Sequence, residues 1–157
     1  MMSMGPPLSG EIWIRDYSRE DFRILHAIDA ACFPAHMAYS RAELLFFLGH
    51  DASIARVAEI AGRIVGFAVG QSEPGSAAHV VTLDVISEAR RRGVGTGLMN
   101  ALHEEFRRRN ALKVTLEVDA GNEAAQRFYQ GLGYRCLGMI PGYYQGRGDA
   151  LIMMRPL

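Results

Sequence analysis

The sequence predicts a single α/β (α+β) domain, because short β-branched runs and amphipathic helical segments are interspersed along one continuous chain. Its 157 residues are typical of one domain, and 49% hydrophobic with 22% charged residues is the composition of a globular protein. The chain contains no internal repeat, low-complexity tract or interdomain linker. We therefore expect one domain over residues 11–157, preceded by a loose leader at residues 1–10.

The first part of the domain is predicted to be a strand followed by two helices. Each helix begins with a capping pattern, in which a serine is followed three positions later by an acidic residue. Pro34 ends the first helix, and Gly49 ends the second. The predicted elements are a strand at 11–16, a helix at about 18–31 and a helix at 40–49.

A hairpin and a buried strand are predicted next. Two strand-like runs flank the turn Ala61-Gly62-Arg63, which is the pattern of a tight hairpin. The following run, HVVTLDVI, is rich enough in β-branched residues for a largely buried strand. The three predicted strands cover residues 53–60, 64–71 and 79–86.

The last part of the chain alternates between helices and strands. An apolar stripe of helical spacing runs from Val94 to Phe106, and Asn122 can cap a further helix, which glycines end. Apolar and polar residues alternate at 113–118, as in a strand. The predicted elements are a helix at 94–109, a strand at 113–118, a helix from 122 to about 131 and strands at 134–140 and 150–154.

The charge balance argues against a polyanionic partner. The 17 Lys+Arg residues equal the 17 Asp+Glu residues, so no global field would attract nucleic acid or an anionic membrane, and we expect neither partner. Six arginines are concentrated in two triplets, at 90–92 and 107–109. The second triplet falls at a predicted helix C-terminus, where cations favour the helix dipole. A solvated helix end therefore explains it more simply than nucleic-acid binding does.

The cysteines and histidines indicate a reduced, cytoplasmic protein without a metal. Cys32 and Cys136 lie far apart and form no C-x-x-C pattern, so neither a disulfide framework nor a zinc site is expected. His103 and Glu104 begin like the zinc motif H-E-x-x-H, but position 107 is arginine. No stretch reaches the roughly 18 apolar residues that a membrane-spanning helix needs.

The segment RRRGVGTG, residues 90–97, carries the chemistry of the chain. It lies between a predicted buried strand and an amphipathic helix, where three glycines let successive backbone N–H groups point at one anionic group. The glycines alone could equally form a plain strand-to-helix turn, but the flanking arginines favour a phosphate site. The segment has neither the lysine of a P-loop nor the G-x-G-x-x-G spacing of a dinucleotide-binding fold.

Residues 90–95 resemble the acyl-CoA signature of the GNAT acetyltransferase superfamily: Gln or Arg, two residues, Gly, one residue, and Gly or Ala. The strand HVVTLDVI before it, and LEVDAGN and AAQRFYQGLGY after it, follow in the order of this superfamily. The resemblance covers residues 11–157 and implies a mixed, largely antiparallel sheet flanked by helices. Within this superfamily, the double tyrosine and the segment DALIMM that follow resemble the corresponding segments of the ribosomal-protein alanine N-acetyltransferases and related N-terminal acetyltransferases.

The resemblance implies acetyl-CoA as the acyl donor. Backbone N–H groups from Arg92 to Thr96 would hold its pyrophosphate, with Arg90 or Arg91 available to its phosphates. The backbone of Leu83 to Val85 would pair with the pantetheine amides. Asn122 would contact the donor as well, although it could serve only as a helix cap. The implied donor-binding residues are Leu83, Asp84, Val85, Arg90, Arg91, Arg92, Gly93, Val94, Gly95, Thr96 and Asn122.

Two catalytic residues are implied by the resemblance. Glu117 occupies the position of the base, and Tyr129 occupies that of a tyrosine that protonates the leaving thiolate. The alternatives are a solvated strand glutamate and a tyrosine that only completes an apolar helix face. His79 is a second candidate for handling the proton near the acceptor, although a hydrogen-bonded histidine at a strand end is the simpler interpretation.

The acceptor site is expected between two loops, with Phe33, Tyr39, Tyr143 and Tyr144 as walls and His79 beside them. Adjacent strand residues point to opposite faces, so core packing alone does not explain a double tyrosine. The loop FPAHMAYS lacks the tryptophan that often follows Phe-Pro in the alanine-specific enzymes, which leaves the acceptor open.

We therefore expect an N-acetyltransferase that acts by direct transfer, with a protein N-terminal α-amine as the favoured acceptor. An α-amino group has a pKa of about 7.7–8.0, against about 10.4 for a lysine side chain, so a modest base can deprotonate it. The alternatives are a small-molecule amine or a lysine side chain as acceptor, or a CoA-binding regulatory module without turnover.

Overall fold

The computed structural model describes residues 8–157. It contains seven strands and four α-helices in the predicted order. Residues 1–7 of the predicted leader lie outside the described residues. The elements are β1 Ile12–Asp16, α1 Phe22–Cys32, α2 Arg41–Gly49, β2 Ser53–Ile60, β3 Arg63–Glu73, β4 Ala77–Val85, α3 Val94–Arg108, β5 Lys113–Asp119, α4 Glu123–Gly131, β6 Arg135–Ile140 and β7 Ala150–Pro156.

The strands form one mixed sheet in the order β1-β2-β3-β4-β5-β7-β6. Every neighbouring pair is antiparallel except β4 and β5, which are parallel. The predicted fold class, a largely antiparallel mixed sheet flanked by helices, is confirmed. No helix within residues 8–157 is long and apolar enough to cross a membrane.

The helix starts follow the capping patterns of the sequence. At Ser18 a capping box with Asp21 opens a short 3₁₀ turn, Arg19–Asp21, before α1. At Ser40 the hydroxyl accepts from the Glu43 N–H, and the Glu43 carboxylate accepts from the Ser40 N–H. These bonds satisfy N–H groups that a helix leaves without internal partners, which is why the pattern predicts the boundaries closely.

Two hydrophobic cores cover the two faces of the sheet. The face that packs on α3 includes Val65, Leu98 and Phe106, whereas the face that packs on α1 and α2 includes Leu25 and Phe67. Alternate residues of β2 and β3 enter the two cores, as the period of a strand requires. The central strands of the sheet are therefore buried on both sides.

Strand β4 contains a β-bulge at Val81. Val80 pairs with Gly70 and Thr82 pairs with Val69, so Val81 is the extra residue. A bulge of one residue exchanges the faces of all later side chains. Consequently Leu83 packs against the α3 core, while Asp84 lies on the α1 side.

A buried polar network joins α3 to the last strands. His103, which is 1% exposed, contacts the Tyr134 hydroxyl through Nε2 at 2.6 Å and Arg155 Nη1 through Nδ1 at 2.9 Å. Since a guanidinium only donates, Nδ1 must accept, and the Nε2–H donates to Tyr134. Burial, followed by the charges of Arg155 and Arg107, lowers the pKa of His103 to about 4. The imidazole is therefore neutral at pH 7.

This network predicts acid sensitivity. The unfolded state protonates His103 near pH 6.5 and the folded state near pH 4, so its contribution to stability is complete above 6.5 and falls between 6.5 and about 4. The loss is about 1.4 kcal/mol per pH unit within that window. Chemical denaturation of the wild type and His103→Gln at pH 7, 6 and 5 should show a flatter pH dependence for the variant. Parallel curves would contradict the assignment.

Candidate active site

The cleft of the molecule begins where β4 and β5 separate. The two strands pair only from Ala77 to His79 and from Lys113 to Thr115, although both continue for several residues. Beyond His79 a cavity of about 660 Å³ opens between them. Its other walls are the N-terminus of α3, the helix α4, the loop between α1 and α2, and the loop between β6 and β7.

The glycine-rich segment forms an anion-binding helix start in this cleft. Gly93, with φ +87°, is the N-cap of α3, and the first helical bond runs from the Gly97 N–H to the Gly93 carbonyl at 2.9 Å. The N–H groups of Val94, Gly95 and Thr96, residues that line the cleft, thus have no intrahelical acceptor. Three free donors at the positive end of a 15-residue helix suit a phosphate group.

The three predicted arginines point in different directions. Arg90 and Arg91 line the cleft, and Arg90 Nε donates to the Val85 carbonyl at 3.1 Å. Arg92 is not among the cleft-lining residues. Its guanidinium donates to the Leu8 and Gly10 carbonyls, so only its backbone N–H remains a candidate for the predicted pyrophosphate contact. The chain turns through left-handed conformations at Arg91 and Gly93, and Arg92 between them reaches out to the chain before β1.

The bulge in β4 divides its predicted binding residues. Leu83 and Val85 line the cleft, whereas Asp84 does not and is 1% exposed on the α1 side. The predicted contact of Leu83 to Val85 with the donor is through their backbone, so the buried Asp84 side chain takes no part in it. Only the backbone of Asp84 remains a candidate for that contact.

Asn122 is a helix cap that also borders the cleft. Its Oδ1 accepts from the Ala125 N–H at 3.0 Å, so it is the N-cap of α4. It also lines the cleft.

Gly95 allows α4 to approach α3, because a Cβ there would lie 3.2 Å from Phe128 Cζ.

Glu117 and His79 meet at the point where the strands separate. Glu117 lines the cleft, and its Oε2 lies 2.5 Å from His79 Nε2. His79 does not line the cavity, so the structure places it behind Glu117. Burial lowers the pKa of His79, but the hydrogen bond and charge of Glu117, helped by Glu73, outweigh it and raise the pKa above 6.5. The pair can hold or release one proton at the cleft wall.

Tyr129 faces the cleft from α4. Its ring packs edge-on against Phe128 and Tyr134, with centroids 5.2 and 5.7 Å apart. Burial, followed by the charge of Asp84, raises the pKa of its phenol above 10. A phenol with a raised pKa stays protonated at neutral pH and can donate a hydrogen bond or a proton.

The other end of the cleft has aromatic walls. Phe33, Tyr39, Tyr143 and Tyr144 all line it, as the sequence predicts. The Tyr39 hydroxyl donates to the Val81 carbonyl at the bulge, at 3.2 Å. The rings of Tyr143 and Tyr144 are perpendicular, with centroids 4.9 Å apart, and Tyr143 is 45% exposed. The geometry brings both tyrosines to the same cavity as Glu117.

Some residues near the cleft carry no assignment from the sequence. Cys32 lines it beside Arg90, and Met37 lies in the loop after α1. Two buried acids, Asp29 and Asp84, support the wall from beneath. In the sequence, each of these acids is a charged residue within a run of mostly apolar residues, and that pattern is the signal that indicates a buried acid. Within residues 8–157, no group of three or more His, Cys, Asp or Glu side chains is arranged to hold a metal.

Comparison with known proteins agrees with this geometry. Residues 14–134 match the Acetyltransferase (GNAT) family. An uncharacterized N-acetyltransferase of Methanocaldococcus jannaschii is 34% identical over 143 residues, which is 90% of each chain. An N-alpha-acetyltransferase of Sulfurisphaera tokodaii is 34% identical over 116 residues, covering 64% of this chain and 68% of that protein.

A solved structure is similar over nearly the whole length. The ribosomal-protein-S18-alanine N-acetyltransferase of Escherichia coli superposes with a TM-score of 0.83 at 25% identity, covering 93% of this chain and 94% of that chain. The resemblance seen in the sequence is thereby confirmed.

The helix start can be tested with two matched glycines. Gly93 and Gly62 both have a left-handed φ, and an added Cβ would meet nothing within 4 Å at either site. Gly93→Ala and Gly62→Ala should each cost about 1 kcal/mol of stability. Only Gly93→Ala should weaken coenzyme A binding, about tenfold by calorimetry, because it shifts the three free N–H groups. Equal affinities for the two variants would argue against the phosphate site.

Proposed function

Because the chain belongs to the GNAT acetyltransferase family, we propose that it transfers acetyl directly from acetyl-CoA to the N-terminal α-amine of a protein or peptide. One observation carries this proposal. A single cleft is lined by the free N–H groups of α3, by Glu117 and Tyr129, and by the tyrosine walls. The named activities of the Sulfurisphaera and Escherichia enzymes support an N-terminal acceptor.

The cleft offers binding groups for two parts of acetyl-CoA, the pyrophosphate and the pantetheine chain. Val94, Gly95 and Thr96 would bind the pyrophosphate through their N–H groups, with Arg90 and Arg91 beside them. The open edge of β4 near Leu83 would bind the pantetheine amides through backbone groups, as an added strand does. Acetyl-CoA supplies a thioester whose carbonyl carbon is open to attack by an amine.

Three side chains would handle the protons that are lost by the amine and gained by the leaving thiolate. Glu117 would accept the proton that the attacking amine loses as its nitrogen bonds to the carbonyl carbon, while the Nε2–H of His79 stabilises the carboxylate. Tyr129 would donate a proton to the sulfur as the carbon–sulfur bond breaks. The phenol suits this role because it is protonated at neutral pH.

The acceptor end favours a peptide N-terminus. Phe33, Tyr39, Tyr143 and Tyr144 offer apolar walls and hydroxyl groups, which suit a first side chain and the peptide backbone. An α-amine needs only a modest base, because its pKa of about 7.7–8.0 lies close to the working pH. The Glu117–His79 pair meets that need.

A cytoplasmic location is part of the same proposal. The described residues contain two free cysteines, Cys32 and Cys136, and no disulfide. Free thiols are typical of reducing compartments.

The base assignment predicts a pH profile. Below its pKa, cationic His79 weakens Glu117 as a base, so kcat should rise with pH through a pKa above 6.5. Thiol release at saturating substrates should show this limb in the wild type, and His79→Gln should abolish or shift it. Glu117→Gln should lower kcat about 100-fold.

Tyr129→Phe keeps the ring packing and removes only the proton donor, so it is the matched variant for the acid. It should lower kcat by tenfold or more. Undiminished thiol release by the Glu117→Gln, Tyr129→Phe double variant would overturn this mechanism.

The acceptor class can be tested with paired peptides. We expect thiol release with peptides that have a free α-amine and none when the same α-amine is blocked, even if a lysine is present. Peptides varied at the first residue should differ in KM, because that side chain meets the aromatic walls. Equal turnover of lysine-containing peptides with blocked and free α-amines would instead identify the lysine side chain as the acceptor. Turnover of small amines alone would exclude a protein acceptor.

A further inference from the structure

Two buried carboxyl groups face each other beneath the acceptor end of the cleft. Asp29 on α1 is 0% exposed, and Asp84 on β4 is 1% exposed. Asp29 Oδ2 accepts from the Tyr39 N–H at 2.7 Å, and Asp84 Oδ1 accepts from the Thr82 hydroxyl at 2.5 Å. The other two oxygens, Asp29 Oδ1 and Asp84 Oδ2, are buried and have no donor among the described residues.

Two ionised carboxylates in such a space would repel each other without compensation. Burial and then the contact with Asp29 raise the pKa of Asp84 well above 3.8, and no cation among the described residues contributes. A proton on one carboxyl group would let it donate to the other. Both oxygens that lack a donor would then be satisfied.

We propose that Asp29 and Asp84 share one proton and that this pair is a positioning device, which fixes the acceptor loop, residues 33–40, to the strand that bears the donor site. The role in acceptor binding rests on the proposed function. The shared proton itself does not.

The contacts of Tyr39 give the pair this role. Its backbone N–H is held by Asp29, and its hydroxyl is held by the Val81 carbonyl on β4. Asp84 lies on the same strand as Val81 and contacts Asp29 on α1. The loop, α1 and β4 are therefore connected to one another by these three contacts. The loop can move away from β4 only if one of these bonds breaks.

Other titratable groups surround the pair. Cys32 on α1, Tyr39 in the loop and Tyr129 on α4 all feel the charge of Asp84, and each is neutral when protonated. The guanidinium of Arg90 lies 3.9 Å from the Cys32 sulfur. Burial and the charge of Asp84 raise the pKa values of Cys32, Tyr39 and Tyr129, so these three groups stay protonated and neutral at pH 7. They therefore do not compete with the carboxyl pair as the group that takes up a proton on folding.

The pH dependence of stability tests the shared proton. A raised pKa contributes stability that is complete below the unfolded value of 3.8 and is lost as pH rises through the folded value. In Asp84→Asn the side-chain amide would donate to Asp29 Oδ1 and its carbonyl would accept from Thr82, without proton uptake. The Tm of Asp84→Asn minus that of the wild type should therefore grow from pH 5 to pH 8, by about 3 °C or more per pH unit. A difference independent of pH would overturn the shared proton.

Infrared spectra provide a second measurement, which does not depend on the stability of the protein. The wild type labelled with ¹³C-aspartate should show the carbonyl stretch of a protonated carboxylic acid at pH 7, and Asp84→Asn should lack it. Absence of this band from the wild type would overturn the proposal.

The positioning role is tested by the split between kinetic constants. Asp29→Ala should raise the acceptor KM about tenfold while the acetyl-CoA KM changes less than twofold, and Asp29→Asn, whose carbonyl can still accept from Tyr39, should restore the acceptor KM. Equal changes in both KM values, or no rescue, would overturn this role. If no peptide amine is acetylated by the wild type, the proposed function fails, whereas the Tm curves and the infrared band still decide the shared proton.

Discussion

The site depends on the incomplete pairing of the two parallel strands. β4 and β5 are joined over only three residue pairs, ending at His79 and Thr115. Beyond them β5 is held by β7 and β4 by β3, so each strand keeps one paired edge and leaves the other open. Open strand edges carry unpaired N–H and C=O groups, which a compact sheet would normally cover. Here they border a cavity, and the Glu117–His79 contact crosses the gap where it begins.

The bulge at Val81 sets which side chains reach each side of β4. Without the extra residue, Asp84 would lie on the α3 face among Val65, Leu98 and other apolar residues, where a carboxyl group has no partner. With it, Asp84 meets Asp29, and Leu83 takes the position facing the cleft. The bulge also presents the Val81 carbonyl to Tyr39. One irregularity in the ladder thus determines which side chains of β4 face the cleft and how the loop that bears Tyr39 is held.

Local signals in the sequence predicted the order of all eleven strands and α-helices, the capping boxes and the glycine-rich helix start, because each depends on neighbouring residues. The strand separation, the bulge and the Asp29–Asp84 contact depend on residues distant in sequence, and no local pattern encodes them. The direction of the Arg92 side chain is likewise not encoded locally, since it is set by carbonyl groups of Leu8 and Gly10. The donor-binding and catalytic roles remain predictions, although the structure brings most of those residues to one cleft.

The carboxyl groups of Glu117 and Asp84 show how different surroundings give the same functional group different properties. Glu117 has a histidine partner and borders the cavity, so under the proposed mechanism it exchanges a proton with the acceptor amine during each turnover. Asp84 has a carboxyl partner and is sealed from solvent, so any proton it holds is retained throughout the cycle. If the thioester binds beside β4 as proposed, a buried ionised carboxylate there would also oppose the negative charge that develops on the carbonyl oxygen. Sharing a proton reduces the charge of the Asp29–Asp84 pair from two to one and lessens that penalty.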